Sequence, residues 1–429
     1  MNSVGSSCVK STPSPEPGPQ RLVADLFRRE SGRLIALLAN RAGVARIDMV
    51  EDAVQDALVS AMRSWAIHSI PNNPSAWLYT AARNALTDRL RRSKFEVPKE
   101  ITAEVVTHAD ESFAAEAAFD DELLRLIAFC CHPSLSAASQ LALTLRLACG
   151  LSVEEIAHAL LSNAESISQR IVRAKRELRE LGVTFDVAPE ELVQERLPRI
   201  LNAIYLLFDA GYLSPRHPQW FRPLLCEDAL RLSRMLGAHP LTAEPETQAL
   251  AALLHLTAAR SPARVDEEGH PVPLARQDRS KWNGAAIAEG LRYFAESIRG
   301  DTVTRYHIEA AIATVHASAP SFETTDWAQI VRHYDQLCEL YPSPVATLNR
   351  IIALRYARGA EAALLALRAS SELHGVQESM VYHATVAELH EALEEPGRAA
   401  AAFRAAAELA ESDTLAELFR RRAAVADGG

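Results

Sequence analysis

The chain has 429 residues, of which 48% are hydrophobic and 23% are charged, a composition that excludes a wholly disordered protein. Glycine and aromatic residues are scarce, and the formal net charge of −10 falls almost entirely after residue 184. The longest apolar run, Ala203 to Phe208, is far shorter than the roughly 18 residues that a membrane helix needs. Because strong helix formers dominate, we predict an all-α protein of several domains.

The first segment, residues 1–20, is rich in serine and proline and has no apolar signal segment. This composition predicts a disordered tail and a cytoplasmic protein. The six cysteines form no Cys-x-x-Cys pair, so we expect reduced thiols. Cys130, Cys131 and His132 are adjacent, but neighbouring residues on a helix point in different directions, so we expect no metal site.

The segment 21–94 is predicted to form the first helical domain. One helix should run from Asp48 to Trp65, with an acidic start that suits the helix dipole. Its apolar positions at helical spacing are Val50, Val54, Leu58 and Met62. We expect these four side chains to face the core.

A second helix of this domain should begin at Asn73 and Pro74 and continue to about Lys94. Asparagine is a favoured N-cap, and proline fits the first helical position because the missing N–H has no partner there. The predicted inward face contains Leu78, Ala82, Ala85 and Leu86. The arginines Arg83, Arg91 and Arg92 fall elsewhere and are available for phosphates.

The charge changes sign at the end of this domain. Arg83 to Lys94 contains five basic residues and one acid, whereas Phe95 to Phe119 contains six acids and one lysine. We predict an acidic linker over 95–119 that leads to a second helical domain over 120–184.

The second domain contains two consecutive helix starts. Ser152 with Glu155, and Ser162 with Glu165, both fit the capping box, which predicts helices to about Leu160 and about Glu180. Two capped helices separated by three or four residues have the spacing of a helix-turn-helix.

The second of these helices has two chemically different faces. Ile167, Ile171, Ala174 and Leu178 should pack inward. The opposite, exposed face should carry Gln169, Arg173 and Arg176, with Ser166, Ser168, Arg170 and Lys175 on its flanks. Short polar and amide groups followed by cations suit base edges and phosphates in a major groove. The alternative is an ordinary solvated helix.

The remainder, 190–429, is acidic and rich in alanine. Tyr382 to Leu409 predicts a helix pair that is interrupted at Glu395 to Gly397. Its small and large residues alternate as in tetratricopeptide packing, which predicts a concave surface for a partner. Residues 190–320 fit no repeat.

Several motifs resemble those of a known family. The segments 51–57 and 73–92 resemble region 2 of bacterial sigma-70-type sigma factors of the extracytoplasmic-function (ECF) group, and 150–157 with 171–179 is similar to their region 4. The remainder resembles an ECF subgroup with a tetratricopeptide-like extension. Its motifs here lie at 130–133, 203–208, 277–282, 310–317, 325–327 and 348–350.

The resemblance implies three interfaces and partners. Core RNA polymerase, through its β′ clamp and β subunits, would be bound by Glu51, Asp52, Gln55 and Asp56. The −10 promoter strand would be melted and held by Trp77, Arg83, Asn84, Asp88, Arg91 and Arg92, with the loop 65–73. The −35 duplex would be read by the exposed face of the helix from Ser162. The acidic linker would run toward the RNA path.

One of these assigned residues has an alternative role. Trp77 fits a core position at least as well as a position on which a base stacks. The chain departs from the subgroup at one motif. The subgroup's Asn-Glu-Gly-Tyr is replaced by Asp209 to Tyr212, which puts a role for that glutamate in doubt and leaves the glycine as a turn former.

No phosphate loop, metal motif or nucleophile elbow is found in the sequence, so no enzyme and no cofactor is expected.

The second interpretation is a helix-turn-helix repressor fused to a repeat scaffold. It leaves the segment 73–92 and the acidic linker without a role. The extension is expected to regulate the sigma domains through an intramolecular, partly electrostatic contact, or else its acidity serves solubility alone.

Overall fold

A computed structural model describes residues 19–93, 112–160, 162–212, 222–266, 271–373, 375–410 and 412–428 of the chain. Within these residues the secondary structure is helical without any strand, and an isolated bridge joins Val265 to Pro271. The predicted all-α fold class is confirmed for this part of the chain. The predicted tail falls almost entirely outside the described residues, as do residues 95–111 of the acidic linker.

Within the described residues, seven α-helices cover the two predicted small domains. They are α1 (Pro19–Ala42), α2 (Ile47–Ile67), α3 (Pro74–Arg92), α4 (Ser112–Cys130), α5 (Ala137–Leu147), α6 (Val153–Ala159) and α7 (Ala164–Glu180). Because α4 begins at Ser112, the last part of the predicted linker, 112–119, is helical.

The following helices cover the C-terminal part. They are α8 (Leu197–Tyr212), α9 (Pro223–Ala238), α10 (Pro245–Ala258), α11 (Gly284–Ser297), α12 (Arg305–Ser318), α13 (Trp327–Leu340), α14 (Pro344–Arg358), α15 (Ala360–Ala369), α16 (Met380–Ala392), α17 (Pro396–Glu408) and α18 (Asp413–Ala426). A π-helical turn, Leu192–Arg196, precedes α8.

Local chemistry explains where helices begin. Asn73 caps α3 as predicted, because its Oδ1 accepts a hydrogen bond of 3.0 Å from the Ala76 N–H, and Pro74 follows at the first position. The predicted cap of α7 is off by one residue. Asn163 rather than Ser162 accepts the Ser166 N–H, at 2.7 Å.

The described chain folds into two compact units. The first contains described residues of Met1–Cys130, Leu143–Ser152 and Arg173–Asp186, and the second contains those of Cys131–Ala142, Val153–Val172 and Val187–Gly429. The division passes through α5 and α7. The two compact units therefore do not coincide with the predicted domains. The domain boundaries of 21–94, 120–184 and 190–429 stay a prediction.

The first unit is built around α1, which packs against α2, α3 and α4. Leu38 of α1 and Leu78, Leu86 and Leu90 of α3 are fully buried in it. Three predicted inward positions are different: Met62 of α2 is 59% exposed, and Leu58 of α2 and Ala85 of α3 are only half-buried. Leu90 takes up a core position that was not predicted.

The second unit consists of helices packed on their neighbours in sequence, including α8 on α9, α10 on α11 and α16 on α17. One apolar cluster joins α12 to α16, and another joins α16 to α18 around the fully buried Phe403. Both helices of the predicted 382–409 pair are present, but the break lies at 393–395, slightly before the predicted one, because Pro396 and Gly397 begin α17.

Gly211 has a packing role instead of the predicted turn. It lies within α8, and a Cβ atom there would come within 2.8 Å of the Leu225 Cβ and 3.0 Å of the Cys226 backbone nitrogen. The glycine therefore allows α8 and α9 to approach closely.

Candidate nucleic-acid interface

One side of α2 presents an exposed acidic surface. The side chains of Asp52, Gln55 and Asp56 are all exposed, as their predicted role requires. Arg89 of α3 links the two carboxylates: its Nη1 lies 3.3 Å from Asp52 Oδ2 and its Nη2 lies 2.5 Å from Asp56 Oδ2. The hydrogen bond to Asp56 raises the pKa of the Arg89 guanidinium. Asp52 and Asp56 thus form an exposed acidic surface in which Arg89 contacts both carboxylates.

Glu51, predicted to belong to the same surface, is buried. Its carboxylate accepts a hydrogen bond from the Arg146 Nε, and its Oε2 lies 2.5 Å from the Lys175 Nζ. The same ammonium contacts Asp48 Oδ1 at 2.9 Å, and Arg179 Nη1 lies 3.1 Å from Asp48 Oδ2. Glu51 and Lys175 are 8% and 6% exposed. All five residues belong to the first unit.

The predicted placement of Lys175 on an exposed flank of α7 is therefore wrong. Helical periodicity puts this residue beside the apolar stripe, and the opposing acids of α2 pair with the buried ammonium, so that the charge is not left without a partner. In this arrangement neither Lys175 nor Glu51 is accessible to another molecule.

Helix α3 carries the residues predicted for the −10 strand. Trp77 is half-buried and packs edge-to-face on Trp65, with ring centroids 5.6 Å apart. The other predicted residues of α3 are exposed, except for the half-buried Arg83; they are Asn84, Asp88, Arg91 and Arg92. The Arg92 Nε donates to the Asp88 carbonyl at 3.2 Å. Trp77 thus packs within the unit and is still partly accessible.

Three exposed apolar side chains adjoin this tryptophan pair in sequence and were not predicted. Met62 and Ile67 of α2 and Ile70 of the following loop are 59%, 81% and 48% exposed. The loop 65–73 had pointed to this region, but periodicity had placed Met62 in the core.

Helices α6 and α7 are joined by residues 160–163, within the predicted spacing. The apolar side of α7 is buried as predicted, at Ile167, Ile171, Ala174 and Leu178. Of the predicted outward residues, Ser166, Ser168, Gln169, Arg173 and Arg176 are exposed and Arg170 is half-buried.

Two side chains on the exposed face of α7 contact glutamates of the same helix. The Gln169 Nε2 donates to Glu165 Oε1 at 3.2 Å, and the Arg176 Nε lies 3.7 Å from Glu180 Oε1. Val172 lies between them in the sequence and is 60% exposed, which was not predicted. An exposed valine among amide and guanidinium groups suits a surface that meets both apolar and polar base edges.

Two histidines of the C-terminal part, His255 and His316, are buried. His255 is buried, with Nδ1 2.8 Å from the Ala251 carbonyl, while Nε2 accepts from the Arg234 Nε at 3.1 Å. Burial lowers the pKa of His255. Burial together with nearby arginine cations lowers the pKa of His316 to about 3. Both rings are therefore neutral near pH 7.

No group of three or more His, Cys, Asp or Glu side chains in the described ranges could hold a metal ion. Cys130, Cys131, Cys149 and Cys226 are buried thiols. Among the described helices, none combines the length and the apolar character needed to cross a membrane.

Two family models match the chain. The model of sigma-70 region 2 matches residues 26–96, the segment that contains α2 and α3. A family of unknown function, DUF6596, matches residues 196–298 in the C-terminal part. Residues 26–96 are therefore similar to sigma-70 region 2, which supports a sigma factor that acts in transcription initiation.

The protein is also similar to a protein from Rhizobium meliloti (strain 1021) named "Uncharacterized protein R00370". The two are 39% identical over 325 residues, which cover 74% of this chain and 76% of the relative. The chain belongs to the same family as this relative. No solved structure matches the chain.

Proposed function

We propose that the protein is a sigma factor of the ECF group that directs core RNA polymerase to specific promoters from the cytoplasm. One observation carries this proposal: a single chain contains the α2–α3 pair with exposed acidic and basic surfaces, and a second helix pair, α6–α7, with an exposed polar and basic face. A repressor needs the second pair and has no use for the first.

Each surface has a proposed partner. The exposed acids of α2, Asp52 and Asp56, with Gln55, bind the β′ clamp of core polymerase. The region of Trp77 and the exposed cations of α3 hold the −10 strand, since extruded bases require stacking surfaces and the strand requires cations. The exposed face of α7 reads the −35 duplex as the recognition helix of a helix-turn-helix.

The extension over 190–429 is proposed to be a tetratricopeptide-like domain that regulates the sigma domains or docks a partner. The neighbour-on-neighbour packing of α12 to α18 supports a stacked-helix architecture. In this proposal the acidic linker over 95–119 connects the −10 and −35 binding domains.

The acidic surface of α2 gives a direct test. The double variant Asp52→Asn and Asp56→Asn should bind core RNA polymerase about 10-fold more weakly, because both exposed charges of the proposed docking surface are lost. Binding is measured by fluorescence anisotropy, and run-off transcription is measured over a promoter library. Asp301→Asn, an exposed acid of the C-terminal part, is the control.

The control should match the unmodified protein in both measurements. A folded, unmodified protein that neither binds core polymerase nor yields promoter-dependent transcripts would contradict the proposed function. Specific DNA binding without polymerase binding would favour the repressor.

Arg173→Ala tests the proposed −35 helix. If the exposed Arg173 contacts a base edge, its loss should cost about 1–3 kcal/mol of promoter binding and relax the base preference at one position. The measurement is selection of preferred duplexes by the polymerase complex, followed by titration of the best sequence. An unchanged sequence preference and affinity would contradict the assigned face.

A further inference from the structure

The segment 277–282 of the second unit is held between the ends of two helices. The backbone N–H of Asn283, the residue after this segment, donates to the Ala259 carbonyl just beyond α10, at 2.8 Å. The Arg279 Nη1 donates to the carbonyl of His316 in the last turn of α12, at 2.7 Å. The segment therefore brings side chains from the ends of α10 and α12 close to its own.

Two cations lie beside the indole ring of this segment. The Arg279 Cζ lies 4.7 Å from the Trp282 ring centroid, and the Arg260 Cζ lies 5.7 Å from it. Within the described ranges neither guanidinium forms an ion pair. The exposed Glu323 attracts Arg279 without pairing with it. The two positive charges are thus left without a paired carboxylate from the described residues.

The same cations act on their neighbours. Burial and the Arg260 cation lower the pKa of the Arg279 guanidinium. Burial and both arginine cations lower the pKa of His316, which stays neutral near pH 7. Each shift disfavours a further positive charge at this place. The electrostatic potential here therefore favours an anion.

Four buried nitrogen atoms of this cluster have no hydrogen-bond partner in the part of the chain that the structure describes. They are Arg260 Nε, Arg279 Nε, Trp282 Nε1 and His316 Nδ1. Trp282 and His316 are 7% and 9% exposed, whereas Arg260 and Arg279 are half-buried. A buried donor without an acceptor costs free energy. Phosphate or carboxylate oxygens supply such acceptors and match the fork of a guanidinium.

Aromatic rings continue from His316 on the side away from the described segment in sequence. The ring centroid of Trp327 lies 5.3 Å from that of His316, 4.5 Å from that of Tyr356 and 5.0 Å from that of Phe322. These last three residues are half-buried, so part of their surface remains accessible. An apolar surface next to unpaired cations favours an organic anion over an inorganic one.

We propose that Arg260, Arg279, Trp282 and His316 form a binding site for the phosphate or carboxylate group of a small organic molecule. The guanidiniums and the indole N–H donate to the anionic oxygens. The neutral imidazole adds a donor in the tautomer that carries its proton on Nδ1. The adjoining aromatic rings contact the rest of the ligand. The site lies within the second unit, so it goes beyond the proposed function and does not depend on it.

The test is isothermal titration calorimetry of the full chain in a chloride buffer without phosphate or sulfate. Adenosine monophosphate and benzoate represent the two kinds of organic anion. Inorganic phosphate and acetate carry the anionic group alone, and adenosine and benzamide carry the organic part without the charge. At least one organic anion should bind about 10-fold more tightly than its inorganic or acetate counterpart, and the uncharged molecules should not bind. The tighter of the two organic anions identifies the group that the site prefers.

Substitutions test the residues of the site with that tighter anion. Arg260→Gln should weaken binding about 10-fold or more, because charge-assisted hydrogen bonds are lost. Trp282→Phe keeps a ring and removes only the N–H, so it should weaken binding about 5-fold. Arg260→Lys keeps the charge without the fork and should fall between Arg260→Gln and the unmodified protein. Arg276→Gln is the matched control, since Arg276 is exposed in the turn before the segment, and it should bind as the unmodified protein does.

Circular dichroism establishes that each variant is folded, and Trp282→Phe carries the comparison if Arg260→Gln does not fold. The site is overturned if neither organic anion binds the folded, unmodified protein. Equal affinities of Arg260→Gln, Trp282→Phe and the unmodified protein overturn it as well. Neither measurement involves polymerase or promoter DNA, so the sigma-factor proposal stands in both cases. A protein that binds the anion but not core polymerase would keep the site and contradict the proposed function.

Discussion

Gly32→Ala is expected to destabilise the first unit by about 3 kcal/mol or more, the upper range for overpacking. A Cβ atom on Gly32 of α1 would lie 2.0 Å from the carbonyl oxygen of Ala148 and 2.8 Å from its carbonyl carbon. Both are backbone atoms next to the end of α5, so no side-chain rotation relieves the clash. The helix and this backbone segment would have to separate.

The measurement is urea denaturation followed by circular dichroism and tryptophan fluorescence, in comparison with Gly284→Ala. Gly284 is also helical, but nothing lies within 4 Å of a Cβ atom built there. Its replacement should therefore change stability by less than about 1 kcal/mol, and in the stabilising direction. Equal stabilities of the two variants would mean that α1 does not approach Ala148 closely.

Arg279→Met is expected to destabilise the second unit by about 2–4 kcal/mol, because buried acceptors lose their donor. The Arg279 Nη1 donates to the carbonyls of His316 and Ala319, at 2.7 and 2.6 Å, and its Nη2 donates to Thr325 Oγ1 at 3.0 Å. The guanidinium also lies 4.7 Å from the Trp282 ring centroid. One side chain thus holds the end of α12 and the loop after it.

Lys281→Met is the control for Arg279→Met, since Lys281 belongs to the same 277–282 motif and is exposed. It should leave the thermal and urea transitions unchanged. Arg279→Lys should recover only part of the loss, because an ammonium cannot reproduce the fixed fork of a guanidinium. A full recovery by lysine would show that charge alone matters at this position.

Local rules predicted the parts of the fold that local chemistry determines. The start of α3 was predictable because an asparagine cap and a proline at the first position need no tertiary information. The start of α7 was predicted one residue early, because Ser162 and Asn163 are adjacent and both are able to cap.

The exposure of other residues of the candidate site depends on contacts between helices and could not be predicted from local sequence. Periodicity assigns Met62 to a core stripe, yet Met62 is exposed. The same periodicity leaves Lys175 at the border of the buried face of α7. Only its contact with Asp48 and Glu51 decides that it is buried, and nothing local to 164–180 encodes that contact.

The division into two compact units has a consequence for how the protein is made. Segments 131–142 and 153–172 belong to the second unit, whereas 173–186, which follow them, complete the first. At about 5–20 residues per second, the ribosome needs about 10–50 s after residue 186 to deliver the remaining chain. The second unit is therefore incomplete for that long after its first segments are made, and a fragment that ends near residue 184 would lack most of it.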